Sequence, residues 1–209
     1  MAQHKYADYF YRFINPINLD QREIEEINNF VKDLVDIKMT QTKFKNDNRK
    51  IVENSFNNGY ISEVALEHFL KIKFIKWNIR EESEKDFPDL SYLGINVGIK
   101  TCNSDKGHFP LIYSRPKNPE IITILKPPNT VFICGYATIP VLKYYQSPEY
   151  AFGTAYNKKG GFWGFHKLHN FKNKKELRGL VENTNLDYNI SFTETTKSFI
   201  NDNNSEVTI

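Results

Sequence analysis

Pro88-Asp89-Leu90-Ser91-Tyr92-Leu93-Gly94-Ile95-Asn96-Val97-Gly98-Ile99-Lys100-Thr101-Cys102 is the stretch on which the fold turns. A Pro-Asp pair leads in and Gly94 offers a turn. Apolar Ile95, Val97 and Ile99 then alternate with Asn96, Gly98 and Lys100. Alternate residues of a strand share a face, so this period of two predicts a strand over 95–102. Its β-branched residues enter the core, and Asn96, Gly98 and Lys100 project together from the other side. A hairpin at Gly94 would fold the Asp89 segment beside this strand and bring a carboxylate near the Lys100 ammonium.

Upstream the pattern is helical. Asp20 and Glu23 have capping-box spacing, and Ile24, Ile27, Val31, Leu34 and Val35 repeat on one face. After a polar segment over 40–50, Asn57-Asn58-Gly59 precedes a second helical run with Ile61, Ala65, Phe69 and Leu70 facing inward. That run carries Glu63 and Glu67 at i,i+4, a like-charge pair that a bound cation would relieve. Downstream, strands are predicted over 109–113 and 131–136, joined by a Pro-rich connection over 115–129, with a short helix over 139–145. Gly160-Gly161 is expected to precede an aromatic strand over 162–165 that places Trp163 and Phe165 in the core. A last helix is predicted over 174–181. The reading is α/β, a central mixed sheet flanked by helices, in a single domain over 1–183 with an N-terminal helical portion. A polar tail over 184–209 is expected to be partly disordered.

At 209 residues, 40% hydrophobic and 25% charged, the chain suits one domain with a sizeable core. No apolar run approaches the roughly 18 residues of a membrane span, and residues 1–13 lack the charged-then-apolar order of a secretory signal, so the expected location is the cytoplasm. Cys102 and Cys134 sit in apolar runs without zinc spacing and are expected to be buried free thiols. The net charge of +3 conceals an uneven distribution: residues 158–178 hold seven Lys or Arg against one acid, Glu176, with His166 and His169 among them. That stretch reads either as a polyanion-binding face or as an ordinary solvated one. Neither a GxSxG elbow nor a GxxxxGK[ST] loop is present, and no carboxylate motif accompanies His166 and His169, so acyl transfer, nucleotide-driven work and His-centred hydrolysis have no local support.

Taken in order, the helix Ser62-Glu63-Val64-Ala65-Leu66-Glu67, then Pro88-Asp89, then Val97-Gly98-Ile99-Lys100-Thr101, then Val131-Phe132-Ile133-Cys134-Gly135-Tyr136-Ala137-Thr138 resembles the PD-(D/E)XK nucleases, to which many type II restriction endonucleases and phage nucleases belong. The resemblance implies a restriction-endonuclease-like core and Mg²⁺-dependent hydrolysis of DNA phosphodiesters, with Mn²⁺ able to substitute, by a homodimer on double-stranded DNA. Asp89 would be the central metal ligand, joined by the main-chain carbonyl of Ile99. Lys100 would orient or help deprotonate the attacking water and offset charge in the transition state.

The departure is Gly98, where the family usually places Asp or Glu. Either another acid fills the vacated space or the protein is a catalytically silent, DNA-binding nuclease fold of phage or defence origin. Relocation is the preferred reading, with Glu63 first, as catalytic residue and metal ligand, and Glu67 and Glu120 behind it; Asn96 would add a neutral oxygen. Phosphate contacts are assigned to Arg115, Lys117, Lys158, Lys159, Lys167 and Lys172, extended by Lys174, Lys175 and Arg178. Asn157, Lys158 and Lys159 also lie in a Gly-flanked loop suited to base contacts. Each of these residues has an ordinary structural role when taken alone; their order along the chain carries the reading.

Overall fold

The computed structural model describes residues 16–40, 47–77, 88–103, 109–151, 159–183 and 186–187. Helix α1 (Gln21–Met39) opens with the predicted capping box. The Glu23 N–H donates to Asp20 Oδ1 at 2.9 Å, and the Asp20 N–H donates to Glu23 Oε2 at 3.0 Å. Helix α2 (Arg49–Leu70) begins well before the expected start, because the Asn48 side chain caps it by accepting from the Lys50 and Ile51 amides. It runs straight through Asn57-Asn58-Gly59. The packing of Val52, Ile61, Val64, Leu66 and Leu70 against α1 and the sheet overrides the weak helix preference of those three residues.

Between α2 and the sheet, Glu67 has a structural task. Its carboxylate is 2% exposed and accepts from the amides of Phe74 and Ile75, the latter at 2.8 Å, while Lys73 Nζ lies 2.9 Å away. The residues after Lys71, which takes the left-handed conformation at φ 55°, are thereby held against the helix end.

The main sheet runs in the order β1-β5-β4-β2, from β1 (Pro16–Asn18), β5 (Thr130–Ala137), β4 (Glu120–Lys126) and β2 (Gly98–Asn103). It is mixed: β2 pairs with β4 in parallel, and the other two pairings are antiparallel. Helices α1 and α2 cover the face presented by Ile99, Ile121, Leu125 and Val131. The opposite face, with Cys102, Ile122, Ile124 and Phe132, is covered by α3 (Ile139–Tyr144) and by a second sheet, β3-β7-β6, made of β3 (Leu111–Tyr113), β7 (Lys159–Phe162) and β6 (Gln146–Ser147). Helix α4 (Lys174–Glu182) buries Leu177 against the α1/α2 side.

Several expectations are corrected. The Pro-rich connection over 115–129 contains β4, the central strand. Ile121, Ile122, Ile124 and Leu125 are all buried on one face or the other, so no alternation marks it as a strand. The strand expected over 95–102 starts only at Gly98, though Ile95, Val97 and Ile99 are buried as the period of two required. The glycine pair lies inside β7 rather than before it, and Phe165–Lys167 is a 3-10 turn; Trp163 and Phe165 are in the core, each 7% exposed. A Cβ at Gly160 would collide with Gln146 and with the Ser147 backbone, so the glycine lets β6 approach.

In β5 a bulge at Gly135, φ +139°, changes which residues face α2, so that Tyr136 joins that side. The His169 backbone fills the space a side chain at 135 would need and bridges to Tyr136. Cys102 and Cys134 are free and buried, and burial pushes the Cys102 thiol up to about 12 and that of Cys134 upward too, which leaves both unreactive. Among the described residues no helix is long and apolar enough to cross a membrane. The tail lies outside the described residues except for Leu186 and Asp187; Asp187 pairs with His169 Nε2 and accepts from the Thr138 hydroxyl.

Replacing Glu67 with Ala strands two amides at the end of α2 and is expected to cost about 3 kcal/mol in urea unfolding. Glu67→Gln, which keeps one acceptor oxygen, should cost less.

Candidate active site

Asp89 reaches the sheet through a compact turn rather than a hairpin. The 3-10 turn Ser91–Leu93 is closed by Gly94 in the left-handed conformation, φ +69°, where a side chain would be strained. The Leu90 amide donates to Val97 O at 3.0 Å, and Leu90, Ile95 and Val97 are buried beneath it. Asp89 is thereby set beside the outer edge of β2, where its Oδ2 accepts the Ile99 amide at 2.7 Å. The Gly98 amide points the other way, to Pro119 O at 3.0 Å. Successive residues of a strand send their N–H and C=O groups to opposite sides, so the Ile99 carbonyl leaves β2 on the Asp89 side.

The space above Gly98 is filled by Glu120. Parallel pairing sets the two residues opposite each other, Gly98↔Glu120, and a Cβ added at Gly98 would collide with the Glu120 carboxylate. Gly98, Lys100 and Glu120 share the face opposite to that of Ile99 and Ile121. Lys100 Nζ stands 3.7 Å from Glu120 Oε1, an ion pair without a short hydrogen bond. Glu120 Oε2 is buried with no hydrogen-bond partner among the described residues. Burial pushes the Glu120 carboxyl up from its ordinary 4.5 to about 7; the Lys100 ammonium draws it down and the Asp89 carboxylate pushes it further up. Two carboxylates and a lysine therefore meet around the start of β2 and β4, with one acid poorly compensated.

Glu63 is half-buried on α2, whose apolar side packs on the Ile99/Ile121 face of the sheet, whereas Gly98 and Lys100 project from the opposite face. Glu67 is engaged with the Lys73 ammonium and the Phe74 and Ile75 amides. Asn96 is exposed and donates to Asn118 Oδ1 at 3.2 Å, which ties the β2 approach to the loop before Glu120. Arg115 and Lys117 are exposed on that same loop. Lys159 lies over the Tyr113 ring at 4.9 Å and Lys167 over the Tyr145 ring at 6.0 Å. Lys172 and Lys175 are exposed beside and on α4, and Arg178 donates to Leu93 O in the Asp89 turn at 3.3 Å. Asn157 and Lys158 lie outside the described residues.

The donors available to a metal are the Asp89 and Glu120 carboxylates and the Ile99 carbonyl. These are hard oxygens, of the kind that suit Mg²⁺ or Mn²⁺ completed by water. Among the described residues no three His, Cys, Asp or Glu side chains gather into one metal-binding group. The unpartnered Glu120 Oε2 is the atom that fits a cation.

A carboxyl raised on folding binds its proton more tightly in the native state, so it lowers stability as pH rises from about 4.5 to about 7 and costs its full amount above that. Glu120→Gln should remove this slope in metal-free protein and raise stability at pH 8 by on the order of 3 kcal/mol, read from urea unfolding at a series of pH values. Compared with described protein families, with curated proteins and with solved structures, the chain matches none.

Proposed function

We propose that the protein is a metal-dependent DNA endonuclease of the PD-(D/E)XK type in which Glu120 supplies the acid missing at position 98. The observation that carries this reading is the Glu120 carboxylate occupying the space of a side chain at Gly98, within an ion-pair distance of Lys100. The chain's order of Asp89, then Lys100, supports the same reading, as does the mixed sheet under α1 and α2.

Asp89, Glu120 and the Ile99 carbonyl would hold Mg²⁺, which when bound polarises the phosphate and lowers the pKa of water. The protein's own groups do the rest. The Lys100 side chain, 33% exposed, would meet an attacking water. It can hydrogen-bond that water, orient it toward phosphorus and offset the charge that grows on the phosphoryl oxygens. The water oxygen forms the new P–O bond as its proton passes to solvent or to a carboxylate, and the P–O bond to the sugar oxygen breaks as that oxygen takes a proton from solvent, leaving a phosphate monoester and a hydroxyl. Arg115 and Lys117, exposed on the loop that leads to Glu120, would supply phosphate contacts. On duplex DNA a homodimer would bring one such site to each strand.

The test is cleavage of DNA in Mg²⁺ or Mn²⁺ by wild type, Lys100→Ala, Glu120→Ala and the exchange of Gly98→Asp with Glu120→Ala. Each single variant should lose about 100-fold or more. The exchange should recover about tenfold or more of what Glu120→Ala loses, because Gly98 does not use the left-handed backbone and the incoming carboxylate inherits the vacated volume. Mn²⁺ should raise the thermal midpoint of wild type but not of Glu120→Ala. Cleavage that survives both single substitutions, or a wild type that neither cuts nor responds to metal, would overturn the assignment.

A further inference from the structure

Strand β3 ends on Tyr113, whose side chain points away from the core while Ile112 points in. At 55% exposed it is the most open aromatic ring among the described residues. The ring is held on a ladder rather than a loop: Tyr113 pairs with Lys159 across β3 and β7, and its carbonyl accepts from Gln146 Nε2 at 3.1 Å. The Lys159 ammonium lies over the ring, 4.9 Å from the centroid. Beyond Tyr113 the chain passes Ser114, Arg115 and Lys117 and arrives at Glu120. Strand β3 lies against β2, and Ile112 packs with Cys102 on the Lys100 face of the main sheet. Six residues lie between Tyr113 and Glu120, so the chain between them reaches at most about 25 Å.

An exposed ring on a paired strand, a cation over it, and a short basic loop leading to the proposed phosphoryl-transfer site form the combination that binds single strands: bases stack on aromatic side chains while lysines and arginines follow the phosphates. Within a continuous duplex both faces of every base are covered by its neighbours, so a ring like Tyr113 gains nothing from an intact helix. The exposed ring is therefore of use only where a base is out of the stack. Near Asp89 the arrangement recurs in Tyr92, 39% exposed with Lys76 Nζ 3.6 Å above its ring.

We propose that the site takes DNA carrying an unpaired strand next to the scissile phosphate, a single strand, a flap or a splayed end, with a base stacked on Tyr113 and the backbone led to Glu120 along Arg115 and Lys117. This rests on the nuclease reading for the site but names its substrate class. The test is binding of the full chain, by fluorescence anisotropy in Ca²⁺, to three labelled DNAs of one sequence: single strand, splayed duplex and blunt duplex. Wild type should bind the first two about tenfold more tightly than the third. Tyr113→Ala should lose about tenfold on the first two with blunt duplex unchanged, and Tyr113→Phe should keep the preference. Equal affinity for all three DNAs, no DNA binding, or a Tyr113→Ala loss shared equally with blunt duplex would each overturn the proposal. Separate incubation in Mg²⁺ distinguishes the two readings. A Tyr113-dependent preference without cleavage leaves the substrate class standing and removes the nuclease, whereas cleavage of blunt duplex without any preference does the reverse.

Discussion

The parallel pairing of β2 with β4, in the register that sets Gly98 opposite Glu120, is the constraint on which the candidate site depends. A slip of one residue would turn Glu120 toward α2 and away from Lys100. What prevents the slip is that one step either way would carry Lys126 or Glu120 into the buried place of Leu125 or Ile121. Ile121 and Leu125 serve one core and Ile122 and Ile124 the other, each at 0 or 1% exposure. At about 2 kcal/mol for each side chain, these four outweigh the roughly 3 kcal/mol that holding Glu120 ionised there costs. The strand's hydrophobic middle thus holds an uncomfortable acid at its end. The Gly98 amide on Pro119 O and the Asn96–Asn118 bond pin the same register from the approach side.

Much of the frame was legible in the sequence because local signals and tertiary packing agree. The capping box at Asp20 and Glu23, the inward face of α1, the turn at Gly94 and the buried thiols each follow from a short pattern that the fold does not oppose. The packing of α2 overrode the Asn57-Asn58-Gly59 signal, since a long amphipathic face is stronger than three weak helix formers. Strand β4 was hidden for the opposite reason. Prolines at 116, 119, 127 and 128 bracket it, and a strand covered on both sides shows no alternation.

That concealment explains why Glu120 stood behind Glu63 in the reading of the sequence. Asp89 and Lys100 stand within one turn and one strand, so the placing of Asp89 beside β2 can be read locally. Glu120 belongs to the site only through pairing between segments some twenty residues apart, and pairing partners are not written in either segment. The Glu63/Glu67 pair suggested a shared ligand, yet Glu67 is occupied with amides beyond the end of its helix and Glu63 belongs to the helix layer on the other face. The aromatic residues show a parallel case. Trp163 and Phe165 are interior, while Tyr113, unremarkable in sequence, is outside because β3 is short and its last residue alternates outward.

The collision between a side chain at 98 and the Glu120 carboxylate also orders the ways in which this site can change over generations. An acid arriving at 98 while Glu120 is still present would place two carboxylates in one volume. Loss of Glu120 first leaves a lineage with neither. The two arrangements of the acid are therefore separated by an intermediate worse than both. On the proposed reading, a glycine at such a position acts as a ratchet: with Glu120 in place, no single substitution moves the acid to position 98.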